Sequence, residues 1–433
     1  MTRDVGIDLT ACWRPRVGMV TLALQLTSHL LDAGAHRYTL FCSRERPAGL
    51  EGVPCRVVLS PYRHELVNKL RWLPRVEAEA GLDAMFYPYW PCPPRRRRDA
   101  PPVAVEIHDL AFRVRPDEVP WQQRAYMGSL VPPALRRAAR VLVPSEATRR
   151  DLLVHYPVPG LEERICVVPE GWSLGGVEPG RLPGTLRPGF LLAVGTIEPR
   201  KNYGRLLAAY RLLKARGVAP PLVVVGRPGW ACGRTLADLR AEPGVHLLGH
   251  VDDATLRALY RAAAVLAFPS LYEGFGLPLL EAMAEGLPVV AGAAGSLPEL
   301  AGGAAVLVEP TDVEAIADGL WRALCDSELR ARLSTAGRAR AAEFTWERAA
   351  RATAAALDEV ILGSCPAPAL RRPMASDSDA PVRRSDRPPA HVAGCVRPGA
   401  VPEPGPRAGS LRRPPSADHP PAGEARRGGG EDR

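Results

Sequence analysis

Two periods alternate along this chain. Short continuous apolar runs at 5–9 (VGIDL), 38–42, 55–59, 84–87, 103–107, 141–143 and 165–168 read as strands covered on both faces, with helical spacing between most of them. Such an alternation predicts a parallel sheet wound on both sides. Residues 171–189 break the pattern: they are rich in Gly and Pro and carry little periodicity, as a linker between domains does. A second series follows, with strands at 190–194, 222–225, 245–248, 265–268, 289–291 and 305–308. After Asn202, Leu206, Leu207, Tyr210 and Leu213 recur on one helical face, and helical pattern fills 313–362. The expectation is an α/β chain with two Rossmann-like doubly wound domains, 1–170 and 190–345, then a helix at 346–362. Residues 363–433 are Pro, Arg, Ala, Gly and Ser with almost no aromatic or β-branched content, and are expected to be disordered.

Composition narrows the picture only a little. A chain of 433 residues is long for one core, and 46% hydrophobic with 24% charged residues is ordinary for a globular protein. The net charge of +9 and pI near 9.3 suit something that handles phosphates, without implying nucleic acid. Nine cysteines, an odd number without C-x-x-C spacing, argue against a disulfide framework or a zinc site. The N-terminus enters a strand directly, and no apolar run nears the roughly 18 residues of a spanning helix. A cytoplasmic protein, at most peripheral on a membrane, is expected.

The candidate chemistry concentrates in two stretches. In FPSLYEGFGLPLLEAMAEGLPVV (268–290), a strand end leads through a glycine-broken loop into a helix begun by Pro278 and closed by Gly286. Glu273 lies in the loop, at the C-terminal end of a strand, where open α/β sheets bind ligands. Glu281 is expected in the first turn of the helix, near its positive end. Between them Gly274 and Gly276 allow backbone amides to approach an anion. In LLAVGTIEPRKN (191–202), a strand ends at Gly195, and Arg200 and Lys201 precede a helix N-terminus. Two cations beside free amides make a site for a diphosphate.

Glu273-Gly-Phe-Gly-Leu-Pro-Leu-Leu-Glu281 resembles the E-x7-E motif of retaining glycosyltransferases of the GT-B fold, glycosyltransferase family 4, and E-P-R-K-N after V-G-T resembles another of that family's hallmarks. The resemblance spans roughly residues 5–360. It implies two Rossmann-like domains facing across a cleft, the last helix crossing back to the N-terminal one, and a nucleotide diphosphate sugar as co-substrate without metal or other cofactor. Arg200 and Lys201 would hold the leaving diphosphate, Glu281 the ribose, and Glu273 the donor sugar's hydroxyls. The amides of Phe275, Gly276 and Leu277 would approach sugar and phosphate. Gly249-His-Val251 is similar to the turn that reads the base. Glu106-Ile-His108-Asp109-Leu110 is similar to a strand end whose histidine faces donor sugar and acceptor. Ser145-Glu146 resembles a family pair in which Ser145 is read as a helix cap.

Gly18 stands in the family's glycine-rich donor loop, but its usual second glycine and arginine are here Val20 and Thr21. The family's P-N-G-V-D is here Pro169-Glu-Gly-Trp-Ser173, and a loop that usually contains Asn reads Ala293-Ala294-Gly295. The implied donor is GDP-mannose ahead of a UDP- or ADP-hexose, and the acceptor a glycan or a lipid-linked one. The altered Gly18 loop motivates a second reading, a sugar-nucleotide-binding member without turnover. A nicotinamide oxidoreductase would need an early G-x-G-x-x-G, which VGIDLTACWRPRVG does not supply. Asp377-Ser-Asp379 matches a D-x-D metal motif by coincidence. Residues 63–75 set Leu66, Leu70, Leu73 and Trp72 among Arg63, Lys69, Arg71 and Arg75. They form either a helix packed on its own sheet or a basic amphipathic helix on an anionic bilayer, with Arg95–Arg98 nearby.

Overall fold

A computed structural model describes residues 2–363 apart from 13–17, 48, 63, 90, 173, 185 and 219. The tail from 364 onward, with Asp377 and Asp379, lies outside the described residues.

The apolar runs become strands where they were expected. The first series is β1 (Asp4–Leu9), β2 (Arg37–Ser43), β3 (Arg56–Ser60), β4 (Ala84–Tyr87), β5 (Val103–Glu106), β6 (Arg140–Val143) and β7 (Ile165–Val167). They form a seven-stranded sheet in the order β3-β2-β1-β4-β5-β6-β7, with every pairing parallel. The second series is β8 (Leu191–Val194), β9 (Leu222–Val225), β10 (Val245–Gly249), β11 (Val265–Phe268), β12 (Val289–Gly292) and β13 (Val306–Val308). These make a six-stranded parallel sheet, β10-β9-β8-β11-β12-β13.

The central strands of each sheet are buried on both faces, which is why they carry unbroken apolar runs instead of alternation, while the edge strands β3, β7, β10 and β13 are partly exposed. In the first sheet Ile7, Leu40 and Phe86 pack on one side, and Phe41, Met85 and Val105 on the other. In the second, Leu192, Val223 and Leu266 face one way, and Leu191, Val224 and Val265 the other. Strand order reverses beside β1 and again beside β8, and such switch points open the ligand crevice of doubly wound sheets. The helix Trp346–Leu362 lays Trp346, Ala350, Leu357 and Val360 into the core of the first sheet, and Glu359 pairs with Arg140 of β6 at 2.9 Å.

The segment 63–75 departs from the basic amphipathic reading. It is a short helix, Glu65–Val67, a π-helical turn, Asn68–Trp72, and a second helix, Leu73–Glu79. Lys69 is 1% exposed, its Nζ on Asp8 Oδ2 at 2.5 Å, so it belongs to the interior and not to a basic face. Trp72 and Leu73 are also buried, Trp72 edge-on to Phe41, while Leu66 and Leu70 remain exposed. A buried carboxylate claims the lysine, which favours the alternative of a helix packed on its own sheet. Arg63 lies outside the described residues. Among those described, no helix is long and apolar enough to cross a membrane, and the cysteines are free.

Candidate active site

The loops after β8 and β11 emerge side by side, because those strands are neighbours in the sheet. Residues Pro199–Lys201 form a single 3-10 turn, and Asn202 follows in the left-handed region at φ 62. The Asn202 side chain anchors the turn by donating to the carbonyls of Pro269 and Pro310 at 2.9 and 2.6 Å. This presents Arg200 and Lys201 to one carboxylate. Arg200 Nη1 donates to Glu273 Oε2 and Lys201 Nζ to Glu273 Oε1, both at 2.6 Å. Arg200 also reaches the carbonyl of Tyr272 and, through Nε and Nη2, Glu198 Oε1. Burial pushes the Glu273 carboxyl up, but the charges of Arg200 and then Lys201 outweigh it and hold the group at about 2. Gly195 has φ 141, and a Cβ there would lie 3.3 Å from Lys201 Cε, so a glycine serves both the turn and the lysine's path.

Glu281 stands apart from this cluster. The helix begins at Leu277, with Pro278 next, and ends at Ala284, which puts Glu281 in its second turn and not in the first. The direct influence of the helix's positive end is correspondingly smaller, since it fades within the first turn. Glu281 Oε2 accepts from Tyr260 Oη at 2.8 Å, and burial pushes its carboxyl up to about 7. Gly276 caps the helix with φ 121; Pro278 brings no N–H to the first turn, and the Leu279 N–H donates to the Gly276 carbonyl at 3.0 Å. The side chain of Phe275 is buried against Phe344. Val251 sits one residue before Asp252, the N-cap of the helix Asp253–Ala262, and is packed partly against the core. Gly18 is the exposed first residue of the helix Gly18–Ala33, with open space around it, so no close approach requires glycine there among the described residues.

In the N-terminal lobe, His108 is fixed at both ring nitrogens. Nε2 lies 2.8 Å from the carbonyl of Pro88 and Nδ1 3.0 Å from Glu170 Oε1, with Glu106 Oε1 at 3.9 Å. Bonding to a carbonyl requires the Nε2 proton. Burial alone would lower the histidine's pKa, but Glu106 and Glu170 raise it to about 10, which favours the imidazolium form. Burial, with the Glu170 charge adding to it and His108 opposing, pushes Glu106 up to about 7. One oxygen of each glutamate, Glu106 Oε2 and Glu170 Oε2, is buried without a hydrogen-bond partner. Glu106, His108 and Glu170 are also the group, among the described residues, whose ligand atoms lie close enough to hold a metal ion. The 3.0 Å contact is already that of a hydrogen bond.

The two lobes meet at the E-x7-E loop. A Cβ on Gly274 would lie 2.0 Å from the carbonyl oxygen of His108. The Gly274 carbonyl accepts from Ser145 Oγ at 2.7 Å and Thr148 Oγ1 at 3.2 Å, while Ser145 Oγ also caps its own helix by accepting from the Thr148 N–H. Tyr272 Oη donates to Asp151 at 2.7 Å and accepts from the Leu110 N–H at 3.2 Å. Glu299 accepts from the N–H groups of Glu146 and Ala147. Sequence reasoning missed Glu170, Tyr272 and Glu299. Glu170 was visible only as a departure from the family's P-N-G, and the other two carried no signal.

Two parallel sheets, each with its switch point, and a cationic turn beside a helix N-terminus are the frame of a GT-B glycosyltransferase. The structure superposes on sucrose-phosphate synthase from Thermosynechococcus elongatus with a TM-score of 0.68 at 23% identity, covering 84% of this chain and 100% of that one. The sequence matches the family models for glycosyl transferases group 1 over residues 184–340 and glycosyltransferase family 4 over residues 17–174. It is 32% identical over 303 residues to O-antigen chain mannosyltransferase B of Escherichia coli, covering 65% of this chain and 77% of that protein. It is 36% identical over 274 residues to the MMP alpha-(1->4)-mannosyltransferase of Mycolicibacterium hassiacum, covering 60% of this chain and 66% of that protein. The chain belongs to the family 4, group 1 glycosyltransferases.

Proposed function

We propose that the protein transfers a hexose, mannose ahead of glucose, from a nucleotide diphosphate sugar to a hydroxyl of a glycan or lipid-linked acceptor, with retention and without a metal ion. The mannosyl preference rests on the names of its relatives. The observation that carries the reading is the convergence of Arg200 and Lys201, at the switch point of the second sheet, on a single anion held between them. A donor's diphosphate takes that place. As the bond from the anomeric carbon to the phosphate oxygen breaks, its electron pair goes to the diphosphate, and the two fixed cations stabilise the charge where it grows. Glu273, displaced from the cations, receives hydroxyls of the donor sugar, and Glu281 receives those of the ribose. The acceptor oxygen then bonds to the anomeric carbon on the face the diphosphate leaves, and its proton passes to the departing diphosphate oxygen.

Thermal shift with guanosine, uridine and adenosine diphosphate sugars identifies the nucleotide. With that donor, Lys201→Ala and Glu281→Ala each remove most hydrolysis and transfer, by about a hundredfold or more. Near-normal rates in both variants would refute the assignment.

A further inference from the structure

The anion seat of the second lobe is shut. Side-chain exposure is 15% for Arg200, 12% for Lys201 and 7% for Glu273, too little for a diphosphate to reach them from solvent. Residues 108–118 of the first lobe lie against this seat, and Asp109 is close enough for its charge to act on Arg200. The segment runs from His108 through the short helix Ala111–Val114 to the 3-10 turn Pro116–Glu118, and it is fastened to the second lobe at both ends. At its start the Leu110 N–H donates to Tyr272 Oη at 3.2 Å, and Gly274 packs on the His108 carbonyl. At its far end Trp230 Nε1 donates to the Glu118 carbonyl at 2.6 Å. These fastenings belong to the loops after β11 and β9, the two neighbours of β8, so the turn carrying Arg200 and Lys201 stands between them.

The loop that bears Trp230 is braced. The Ile197 N–H donates to the Arg227 carbonyl and the Gly229 N–H to the Ile197 carbonyl, both at 2.9 Å, which ties the loop to the residues leading into the cationic turn. A Cβ on Gly229 would lie 2.7 Å from Thr196 Cγ2, so the two loops touch too closely there for a side chain. On the facing side, Glu118 is held within its own turn by Arg115 Nε at 3.1 Å. The two ends of the segment are nevertheless unequal. Tyr272 and Gly274 are backed by bonds to Asp151, Ser145 and Thr148, whereas the far end rests on one neutral hydrogen bond among the described residues, and it parts first.

We infer that Trp230 is a positioning residue that latches segment 108–118 over the diphosphate seat, and that this latch opens before a donor enters or its nucleoside diphosphate leaves. The inference rests on the glycosyl-transfer reading and deepens it. A latch that closes the empty and the filled seat alike slows entry and exit by the same factor and leaves affinity unchanged. A residue that touched the nucleotide would change the affinity itself.

Stopped-flow fluorescence of the full chain with GDP and with UDP tests this, since the chain holds eight tryptophans and each variant loses one. In wild type the observed binding rate should level off as nucleotide rises, because opening comes first. Trp230→Phe keeps an aromatic ring without the N–H. Its plateau and its dissociation rate should each rise about fivefold, the worth of one neutral hydrogen bond, with Kd within about twofold. Trp230→Gln restores an N–H at similar reach and should stay within about twofold of wild type. A wild-type rate that rises linearly overturns the inference whatever the variants do. So does a Trp230→Phe with unchanged rates, or a Trp230→Gln as fast as Trp230→Phe. Faster release with weaker affinity overturns it too, because Trp230 would then be a nucleotide contact. Binding of neither nucleotide by wild type would sink the transfer reading itself, and this inference with it.

Discussion

The two lobes bring opposite charge arrangements to the same junction. In the C-terminal lobe one carboxylate, Glu273, lies between two cations, Arg200 and Lys201. In the N-terminal lobe one cation, His108, lies between two carboxylates, Glu170 at 3.0 Å and Glu106 at 3.9 Å. Their titrations diverge accordingly, with Glu273 held at about 2 and Glu106 pushed up to about 7. Glu198, behind Arg200, keeps the first cluster from being a strict mirror of the second. The difference teaches that burial raises a carboxylate unless nearby cations outweigh it, as Arg200 and Lys201 do for Glu273 and His108 does not for Glu106. It also divides the labour. Where one carboxylate, Glu273, lies between two cations, it can be exchanged for a ligand's diphosphate, and a cluster with more carboxylates than cations can receive hydroxyl donors.

The sharpest way to break that contrast is Glu273→Gln. With its anion gone, the cation pair is open to phosphate, and affinity for the nucleoside diphosphate rises by about tenfold in calorimetry. Transfer nevertheless falls by about a thousandfold, since the variant loses the group that orients the donor sugar. The matching change in the other lobe, Glu170→Gln, should leave diphosphate affinity within about twofold, because no phosphate reaches it. Unchanged affinity in Glu273→Gln would mean that the carboxylate does not hold the place of the diphosphate.

Stability against pH separates the lobes next. Glu106 has a folded pKa raised from 4.5 to about 7, so its contribution is fully present below about 4.5 and is lost as pH rises through 7. Glu273 has a folded pKa lowered from 4.5 to about 2, so its contribution is present above about 4.5 and is lost as pH falls through 2. The Glu106 share is on the order of 3 kcal/mol, at 1.36 kcal/mol per unit. Urea unfolding at pH 5 and pH 8 should show wild type losing stability over that range, with Glu281, also raised to about 7, and His108, raised from 6.5 to about 10, adding to the loss. Glu106→Gln should lose less, by roughly the Glu106 share. An identical slope in wild type and variant would remove Glu106 from the account.

How far the sequence foretold this site depends on the range of the interaction. All the strands stood out as apolar runs, and for the central ones burial on both faces leaves an unbroken signature in consecutive residues. The E-P-R-K-N and E-x7-E stretches were legible for the same reason: each is local, and adjacent strands carry both. For Lys69 the sequence left a packed helix and a basic face both open, because hydropathy does not reveal Asp8, its partner 61 residues away. Glu281 was placed in the first turn, but the helix starts one residue before Pro278, which carries it just into the second. Glu170 looked like a lost asparagine, and its role emerges only when the end of β5 and the loop after β7 bring it to His108, 62 residues distant. Long-range charge partners are set by topology, and no spacing along the chain encodes them.

The contact between the lobes offers the last and mildest test. Gly274 has no room for a side chain: its Cβ would lie 2.0 Å from the His108 carbonyl oxygen and 2.6 Å from Asp109 Cβ. The first obstacle is backbone, so Gly274→Ala is accommodated by parting the lobes and not by a rotamer change. Arg200, Lys201, Glu273 and Glu281 all belong to the second lobe and keep their mutual geometry, so calorimetric affinity for the nucleoside diphosphate should change by less than about twofold. Transfer requires the donor loop and the His108 pocket to meet, and a displacement on the scale of an ångström is worth about a hundredfold in rate. Gly274→Ala should therefore bind nucleotide normally and transfer poorly, with an increased radius of gyration in solution scattering. Normal transfer would show that this junction is not the arrangement in which the sugar moves.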